Sequence, residues 1–233
     1  MKIMWGITGA GHLLKESIDV LEQLSKKHDL TIIFSNAGLE VVKLYGYYKK
    51  IERIISRNPN NSIVLEDDEK YSYPLSGKLT YNKYDLIIIS PATANSVAKI
   101  VHGIADNLIT NVVAQSGKGQ IPLIIVPVDQ KAGLTTTVLP PHINKDLCKR
   151  CKMCMAKTIC PTKAINPPEI DASKCIRCME CEDCCMHDAI ITDETFELYI
   201  RKLDSDNTEK LEKIENITTI FNPKDILEDK RLN

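Results

Sequence analysis

The chain has 233 residues, enough for one full domain and a small second module. Its 30 Lys and Arg against 31 Asp and Glu exclude the basic excess of nucleic-acid-binding proteins, and no basic stretch is interleaved with aromatic residues. The longest apolar runs are only strand-sized and the opening MKIMWGI carries no cleavage site, so we expect a cytoplasmic protein with neither a membrane span nor a secretion signal.

Short β-branched strands alternate with amphipathic helices before the cysteines begin. This alternation, with strands nearly continuous in Ile and Leu, is typical of a doubly wound parallel α/β sheet of the flavodoxin-like or Rossmann-like type. Such sheets bind ligands at the carboxyl ends of their strands. The predicted strands are residues 2–7, 30–34, 62–65, 86–90 and 122–126, and the predicted helices are residues 13–27, 39–55, 96–102 and 106–115.

A glycine-containing turn, residues 8–12 (TGAGH), follows the first predicted strand. Glycines let backbone amides approach a phosphate, and the next helix adds its positive N-terminal end. A nicotinamide site is the alternative. However, the glycines run G-x-x-G-x-G, and the second strand ends in Ser35 and Asn36 rather than in an acid that would bind a ribose hydroxyl. Alone, such a loop is more often just a tight turn.

The end of the fourth predicted strand is more specific. Residues 91–96 (PATANS) and 103–108 (GIADNL) resemble segments of the homo-oligomeric flavin-containing cysteine decarboxylase family. Together with residues 8–10 and Ser35, the resemblance covers roughly residues 1–130.

This resemblance implies a bound FMN. Its phosphate would meet the first loop and Ser35, and its isoalloxazine would lie near Thr93 and Asn95 at a subunit interface. The alternative for Thr93 or Asn95 is a helix N-cap with ordinary packing. The residues that the resemblance assigns to FMN are Thr8, Gly9, Ala10, Ser35, Ala92, Thr93, Asn95 and Ser96.

The chain departs from those decarboxylases at two places. Residues 60–90 contain no histidine, although the family carries one there that acts on the cysteine-containing substrate. Residues 127–130 read PVDQ, where the family usually has Pro-x-Met-Asn. Decarboxylation is therefore not expected.

Nine cysteines lie between Cys148 and Cys185, and eight of them form the runs C-x2-C-x2-C-x5-C-P and C-x2-C-x2-C-x3-C. The runs are typical of two [4Fe-4S] clusters, in which the distant fourth cysteine of each run ligates the other cluster. Disulfide scaffolds and paired zinc sites are the competing interpretations, but zinc ribbons use separated C-x2-C pairs. The predicted ligand sets are Cys148, Cys151, Cys154 and Cys185 for one cluster and Cys160, Cys175, Cys178 and Cys181 for the other.

The second run ends in two adjacent cysteines, Cys184 and Cys185. The three-residue interval favours Cys185 as the ligand and leaves Cys184 as a spare thiol. Cys184 in place of Cys185 stays open as the alternative.

The cysteine runs predict a second module within the chain. Residues 135–141 contain threonines and prolines and are expected to cross into it. Beyond it, residues 196–203 and 217–221 have strand-like patterns and residues 208–214 a helical one, which favours an insertion over an independent tail. The predicted domains are a flavoprotein domain at 1–141, an α+β ferredoxin-like domain at 142–191 and a C-terminal return to the flavoprotein domain at 192–233.

A decarboxylase-like flavoprotein fused to eight ferredoxin-type cysteines resembles the archaeal acceptor-type dihydromethanopterin reductases and their archaeoflavoprotein relatives. The resemblance implies that an external one-electron donor such as ferredoxin reduces the clusters, that the clusters reduce FMN, and that the flavin reduces dihydromethanopterin to tetrahydromethanopterin. It also implies a symmetric homo-oligomer built from trimers. No catalytic residue is predicted, and the possible proton donors on the pterin are His12, Lys78, Tyr81 and Asp129.

Two other functions stay open. The first is an electron-transfer flavoprotein that shuttles electrons between ferredoxin and a partner oxidoreductase without a small-molecule substrate. The second is flavin prenyl transfer or decarboxylation, which keeps the fold but gives the clusters no role.

Overall fold

The computed structural model describes residues 1–69, 74–81 and 84–232, apart from the side chains of Thr80 and Tyr81. A six-stranded, all-parallel sheet in the order β12-β5-β4-β1-β2-β3 forms its centre. The strands are β1 (Lys2–Ile7), β2 (Asp29–Phe34), β3 (Ser62–Val64), β4 (Leu86–Ala92), β5 (Leu123–Pro127) and β12 (Ile217–Thr219). The predicted doubly wound α/β fold is confirmed.

Helices cover both faces of the sheet, and no helix of the described chain is long and apolar enough to cross a membrane. The long predicted helix at 39–55 is two helices. The helices around the sheet are α1 (Leu14–Leu24), α2 (Asn36–Leu44), α3 (Tyr48–Ser56), α4 (Pro74–Gly77), α5 (Ala94–Val101), α6 (Leu108–Lys118) and α9 (Lys202–Leu211), with 3-10 turns at Glu66–Glu69, Lys78–Tyr81, Pro223–Glu228 and Lys230–Leu232.

Alternating side chains of the central strands fill two apolar cores, one on each face of the sheet. Trp5 and Ile88 belong to the core beneath α1, whereas Met4 and Ile87 belong to the core beneath α6. The buried indole of Trp5 donates its Nε1–H to the carbonyl oxygen of Ser90 at 2.9 Å. This hydrogen bond ties β1 to the end of β4.

An antiparallel ribbon of β6 (Gly133–Val138) and β11 (Thr195–Ile200) brackets the cysteine region. The sequence pattern predicted only a crossing at 135–141, whereas most of that segment is the first strand of this ribbon. Beyond β11, the C-terminal strand β12 pairs in parallel with β5 and extends the sheet. The chain therefore returns to the sheet after the cysteines.

Between the ribbon strands, the cysteine region contains two short antiparallel pairs and two short helices around a small apolar core. Ile143, Ile165 and Ile190 are buried in this core. The elements are β7 (His142–Ile143), α7 (Met155–Ile159), β8 (Ile165–Asn166), β9 (Glu169–Ile170), α8 (Glu180–Asp183) and β10 (Ile190–Ile191). The domain limits at 141 and 191 stay a prediction.

Candidate functional site

Buried Thr8 joins the carboxyl ends of β1 and β4. Its backbone N–H and its hydroxyl both donate to the carbonyl oxygen of Pro91, at 3.2 and 2.9 Å. Its Oγ1 accepts the backbone N–H of Thr93 at 2.8 Å. One threonine therefore fixes the position of the polar segment that follows β4.

Two helices begin at this edge with hydroxyl caps. Ser35 precedes α2, and its Oγ accepts the backbone N–H of Gly38 at 3.1 Å. Thr93 precedes α5, and its Oγ1 accepts the backbone N–H of Ser96 at 3.2 Å. The alternative role of Thr93 as an N-cap is thus observed, and its Oγ1 also donates to the hydroxyl of Ser96 at 3.0 Å. Thr93 lines a cavity as well. Helix N-termini attract anions.

Two adjoining cavities open along this edge and share Gly9, Thr93 and Asn95. We call the one that includes His12 and Asp129 the β4 cavity; its volume is about 320 Å³. The other, the β2 cavity, is bordered by the end of β2 and has a volume of about 370 Å³. Of the residues predicted to bind FMN, those that line the cavities are Gly9, Ala10, Ser35, Thr93, Asn95 and Ser96, while Thr8 and Ala92 are buried in the framework.

Gly9 allows the loop after β1 to approach α2 closely. A Cβ atom at position 9 would lie 2.7 Å from the Cβ of Ala37 and 3.3 Å from its carbonyl oxygen. A side chain there would push the two loops apart. Glycine at this position therefore allows the close approach of the two loops between the cavities.

Glu66 was not predicted, yet it borders the β2 cavity. Its carboxylate accepts the backbone N–H of Asn36, at the start of α2, at 3.0 Å and that of Leu108, at the start of α6, at 3.1 Å. It thereby links the first turns of two helices. No local sequence pattern indicates this role, because the three residues come from separate elements.

His12 and Asp129 both line the β4 cavity and interact electrostatically. Burial lowers the pKa of His12, opposed by the charges of Glu16 and Asp129. Burial, followed by the charge of Asp204, raises the pKa of Asp129, while a hydrogen bond from the backbone N–H of Ala94 opposes the rise. Both shifts favour the neutral side chains.

Of the other two candidate proton donors, only Lys78 has a described side chain. Exposed Lys78 begins a 3-10 turn and does not line the β2 or β4 cavity. The side chain of Tyr81 lies outside the described residues.

The ribbon supplies a wall that was not predicted from the sequence. Thr135 and Thr137 of β6 and Phe196 and Leu198 of β11 line the β4 cavity. Tyr45, at the end of α2, also lines it and donates its hydroxyl to the carbonyl oxygen of Val138 at 2.9 Å. The run of three threonines in β6 was the available signal, since β-branched residues are enriched in strands.

The second cysteine run surrounds an enclosed apolar cavity, which we call the thiol cavity. It is bordered by Ile165, Ile170 and Ile176, and the cysteines that line it are Cys160, Cys175, Cys178 and Cys181. The structure therefore brings Cys160 of the first run to the second run, as the ferredoxin pattern predicts.

Backbone hydrogen bonds and neighbouring charges both act on these thiols. Backbone N–H groups of Ala164 and Arg177 donate to the sulfurs of Cys160 and Cys175, at 3.2 and 3.5 Å. Burial and the charges of neighbouring cysteine thiolates raise the pKa of Cys181 to about 11. Grouped thiolates of this kind are stable beside a cationic partner, and N–H donors to sulfur tune iron–sulfur clusters.

The first run packs around the same small core. The core is contacted by Cys148, Cys154 and Cys185, but not by Cys184. Of the two adjacent cysteines, Cys185 therefore packs with Cys148 and Cys154, and its role as the fourth ligand stays a prediction. In the described residues, no three His, Cys, Asp or Glu side chains are placed to hold a single metal ion.

Comparisons with known proteins agree with this geometry. The sequence profile of the Flavoprotein family matches residues 1–175. The dihydromethanopterin reductase (acceptor) of Methanocaldococcus jannaschii is 45% identical, over 98% of this chain and 95% of its own length. The enzyme of the same name from Methanosarcina mazei is 34% identical, over 97% of this chain and 98% of its own.

A solved structure extends the likeness to the whole fold. Burkholderia xenovorans DmrB in complex with FMN, described as a cubic protein cage for redox transfer, superposes with a TM-score of 0.63 at 25% identity. The match covers 97% of this chain and 91% of DmrB. The family resemblance noted in the sequence is confirmed: the chain belongs to the Flavoprotein family and, within it, to the dihydromethanopterin reductases (acceptor).

Proposed function

We propose that this protein is an iron–sulfur flavoenzyme that uses an external one-electron donor such as ferredoxin to reduce dihydromethanopterin to tetrahydromethanopterin. The observation that carries the proposal is a chain of adjoining cavities from the thiols to the β4 cavity. A fourth cavity of about 250 Å³, the junction cavity, shares Arg177 and Met179 with the thiol cavity. It shares His12 and Tyr45 with the β4 cavity.

FMN is the cofactor that the β2 and β4 cavities suit. The β2 cavity offers the hydroxyl of Ser35 as a hydrogen-bond donor to phosphate. In the first turn of α2, the N–H groups of Asn36 and Gly38 already donate to Glu66 and Ser35, so the turn adds mainly its positive N-terminal end. The β4 cavity combines the polar edges of Thr93 and Asn95 with the apolar side chains of Phe196 and Leu198, as a flavin ring requires. When bound, FMN supplies the exchange between single electrons and a hydride equivalent.

Two [4Fe-4S] clusters suit the two groups of thiols, with the ligand sets predicted from the sequence. The domain division at 1–141, 142–191 and 192–233 belongs to the same proposal. It is supported by β12, because this strand joins the sheet after the cysteine region. We further propose a cytoplasmic enzyme, assembled as a symmetric homo-oligomer from trimers.

Asp129 and His12 are the residues that we assign to proton handling at the pterin. Both line the β4 cavity, together with Tyr45 and residues of the ribbon. The raised pKa of Asp129 lets its carboxyl hold a proton closer to neutral pH than an ordinary aspartate does. The backbone N–H of Ala94 orients that carboxyl.

The test is anaerobic. Purified protein is analysed for FMN and iron, reduced, and mixed with dihydromethanopterin while the flavin absorbance is followed. We expect rapid reoxidation with formation of tetrahydromethanopterin. Fast electron exchange with ferredoxin but no reaction with the pterin would instead identify an electron-transfer flavoprotein.

A further inference from the structure

The two cysteine runs contain matched arginines in different surroundings. Arg150 lies between Cys148 and Cys151 as Arg177 lies between Cys175 and Cys178. Both adopt left-handed backbone conformations, with φ of 46° and 51°. Arg150 is exposed, whereas the Nε of Arg177 is buried. The same local turn therefore presents one guanidinium to solvent and the other to the protein interior.

Arg177 connects the second run to both flanking parts of the chain. Its guanidinium lies over the ring of buried Tyr47, 5.1 Å from the centroid. Its Nη2 donates to the carbonyl oxygen of Thr192 at 2.9 Å. Its Nε has no hydrogen-bond partner among the described atoms. The side chain is thus held mainly by the aromatic face and by one carbonyl.

The segment that carries Tyr47 also contacts a predicted cluster ligand. Gly46 has φ of 73°, and a Cβ atom there would lie 3.2 Å from the Sγ of Cys175 and 3.3 Å from the Cγ of Arg177. Next to it, Tyr45 lines both the β4 cavity and the junction cavity. Residues 45–47, which we call the 45–47 loop, therefore separate the second-run thiols from the proposed flavin site.

We propose that Arg177 is a positioning residue that holds the second-run thiols against the 45–47 loop. The cluster bound by Cys160, Cys175, Cys178 and Cys181 is then the one that exchanges electrons with the flavin. The cluster of the first run exchanges electrons with the external donor. The positive charge of Arg177 also favours the reduced form of the adjacent cluster. This inference rests on the proposed function.

The electron balance is simple. In each exchange the reduced cluster loses one electron and the flavin gains one. Two exchanges, with two protons from water, complete the reduction of the flavin. The electrons come from an external low-potential one-electron donor.

The experiment uses anaerobic holoprotein without pterin. Single electrons are injected photochemically, and their arrival at the flavin is followed by absorbance. In parallel, EPR-monitored titration gives the midpoint potentials of both clusters, and Cys178→Ser identifies the signal of the second-run cluster. The variants are Arg177→Gln and, as the matched control, Arg150→Gln.

We expect Arg177→Gln to slow electron arrival severalfold, because loss of the guanidinium contact with Tyr47 frees the second-run thiols from the 45–47 loop. It should also lower the midpoint potential of the second-run cluster. Arg150→Gln should leave the transfer rate unchanged. Tyr47→Leu should slow transfer as Arg177→Gln does, whereas Tyr47→Phe should keep the wild-type rate because it keeps the ring. If Arg177→Gln does not fold, these two Tyr47 variants test the inference in its place.

An Arg177→Gln protein with unchanged rate and potentials would overturn the inference, as would an equal slowing by Arg150→Gln. Protein that contains no iron would overturn the proposed function together with the inference. Normal intramolecular transfer without turnover of the pterin would overturn the proposed substrate alone.

Discussion

The backbone N–H of Thr93 donates to the side-chain oxygen of Thr8 at 2.8 Å, which links two segments 85 residues apart in the chain. Thr8 also donates its hydroxyl to the carbonyl oxygen of Pro91, so both hydrogen-bonding functions of one buried hydroxyl are used. This contact sets the distance between the loop after β1 and the start of α5, and these are the two elements between which we place the flavin.

Thr8→Val should therefore lower both the free energy of unfolding and the affinity for FMN. Valine has a similar shape but leaves the amide of Thr93 without its acceptor, at a cost of about 1–3 kcal/mol in the free energy of unfolding. Urea denaturation measures this loss, and flavin fluorescence measures the affinity for FMN. Thr8→Ser is the control, because it keeps the hydroxyl. Equal stability of the valine and serine variants would contradict the assigned role.

Gly46→Ala should destabilise the protein. Its positive φ and the close approach of Cys175 and Arg177 both oppose a side chain at this position, for an expected loss of about 1–3 kcal/mol. Gly117→Ala is the control, because Gly117 lies in α6 and a Cβ there has nothing within 4 Å. That control should gain about 0.5–1 kcal/mol. Thermal or urea unfolding of both variants checks the opposite signs, and a gain in both would contradict the proposed contact.

The central sheet could be predicted because its strands are marked locally. β1 and β4 are continuous apolar runs that end in glycine or in hydroxylated residues, and their burial follows directly from composition. The approach of Cys160 to the thiols of the second run could also be predicted, since their spacing matches the ferredoxin pattern. In both cases, the prediction depends only on residues close together in the sequence.

The ribbon could not be predicted in the same way. Its strands pair Val138 with Thr195 across the whole cysteine region, and the sequence of β6 resembles a linker when its partner strand is unknown. Phe196, Tyr45 and Glu66 were missed as site residues for the same reason. Their positions depend on contacts between distant elements, and single-sequence patterns do not report such contacts.

Asp129→Asn should raise stability at neutral pH. Because the pKa of Asp129 is raised in the folded protein, the folded state binds its proton more tightly than the unfolded state. Its contribution to stability is thus present at low pH and is lost as the pH rises from the ordinary value of 3.8 through the folded-state pKa. Asparagine does not ionise, so the variant avoids this loss of stability at neutral pH and the repulsion from Asp204. Its side-chain oxygen still accepts the N–H of Ala94.

The stability gain from Asp129→Asn should therefore shrink as the pH falls toward 4, which urea unfolding at a series of pH values will show. Glu197→Gln, on exposed β11, is the control and should give no such pH-dependent difference. Turnover of the pterin by Asp129→Asn should fall, since the variant cannot transfer a carboxyl proton. A gain that grows at low pH would contradict the assigned pKa shift.

Replacing the two adjacent cysteines one at a time distinguishes the cluster ligand from the spare thiol. Cys185 packs against the small core that also contacts Cys148 and Cys154, and it restores the three-residue interval of the ferredoxin pattern. Cys185→Ser should accordingly lose about four of eight irons and one of the two cluster signals. Cys184→Ser should retain all of the iron, because its thiol is the one left over. Iron analysis and EPR of the anaerobically purified variants check this, and the reverse pattern of iron loss would make Cys184 the ligand.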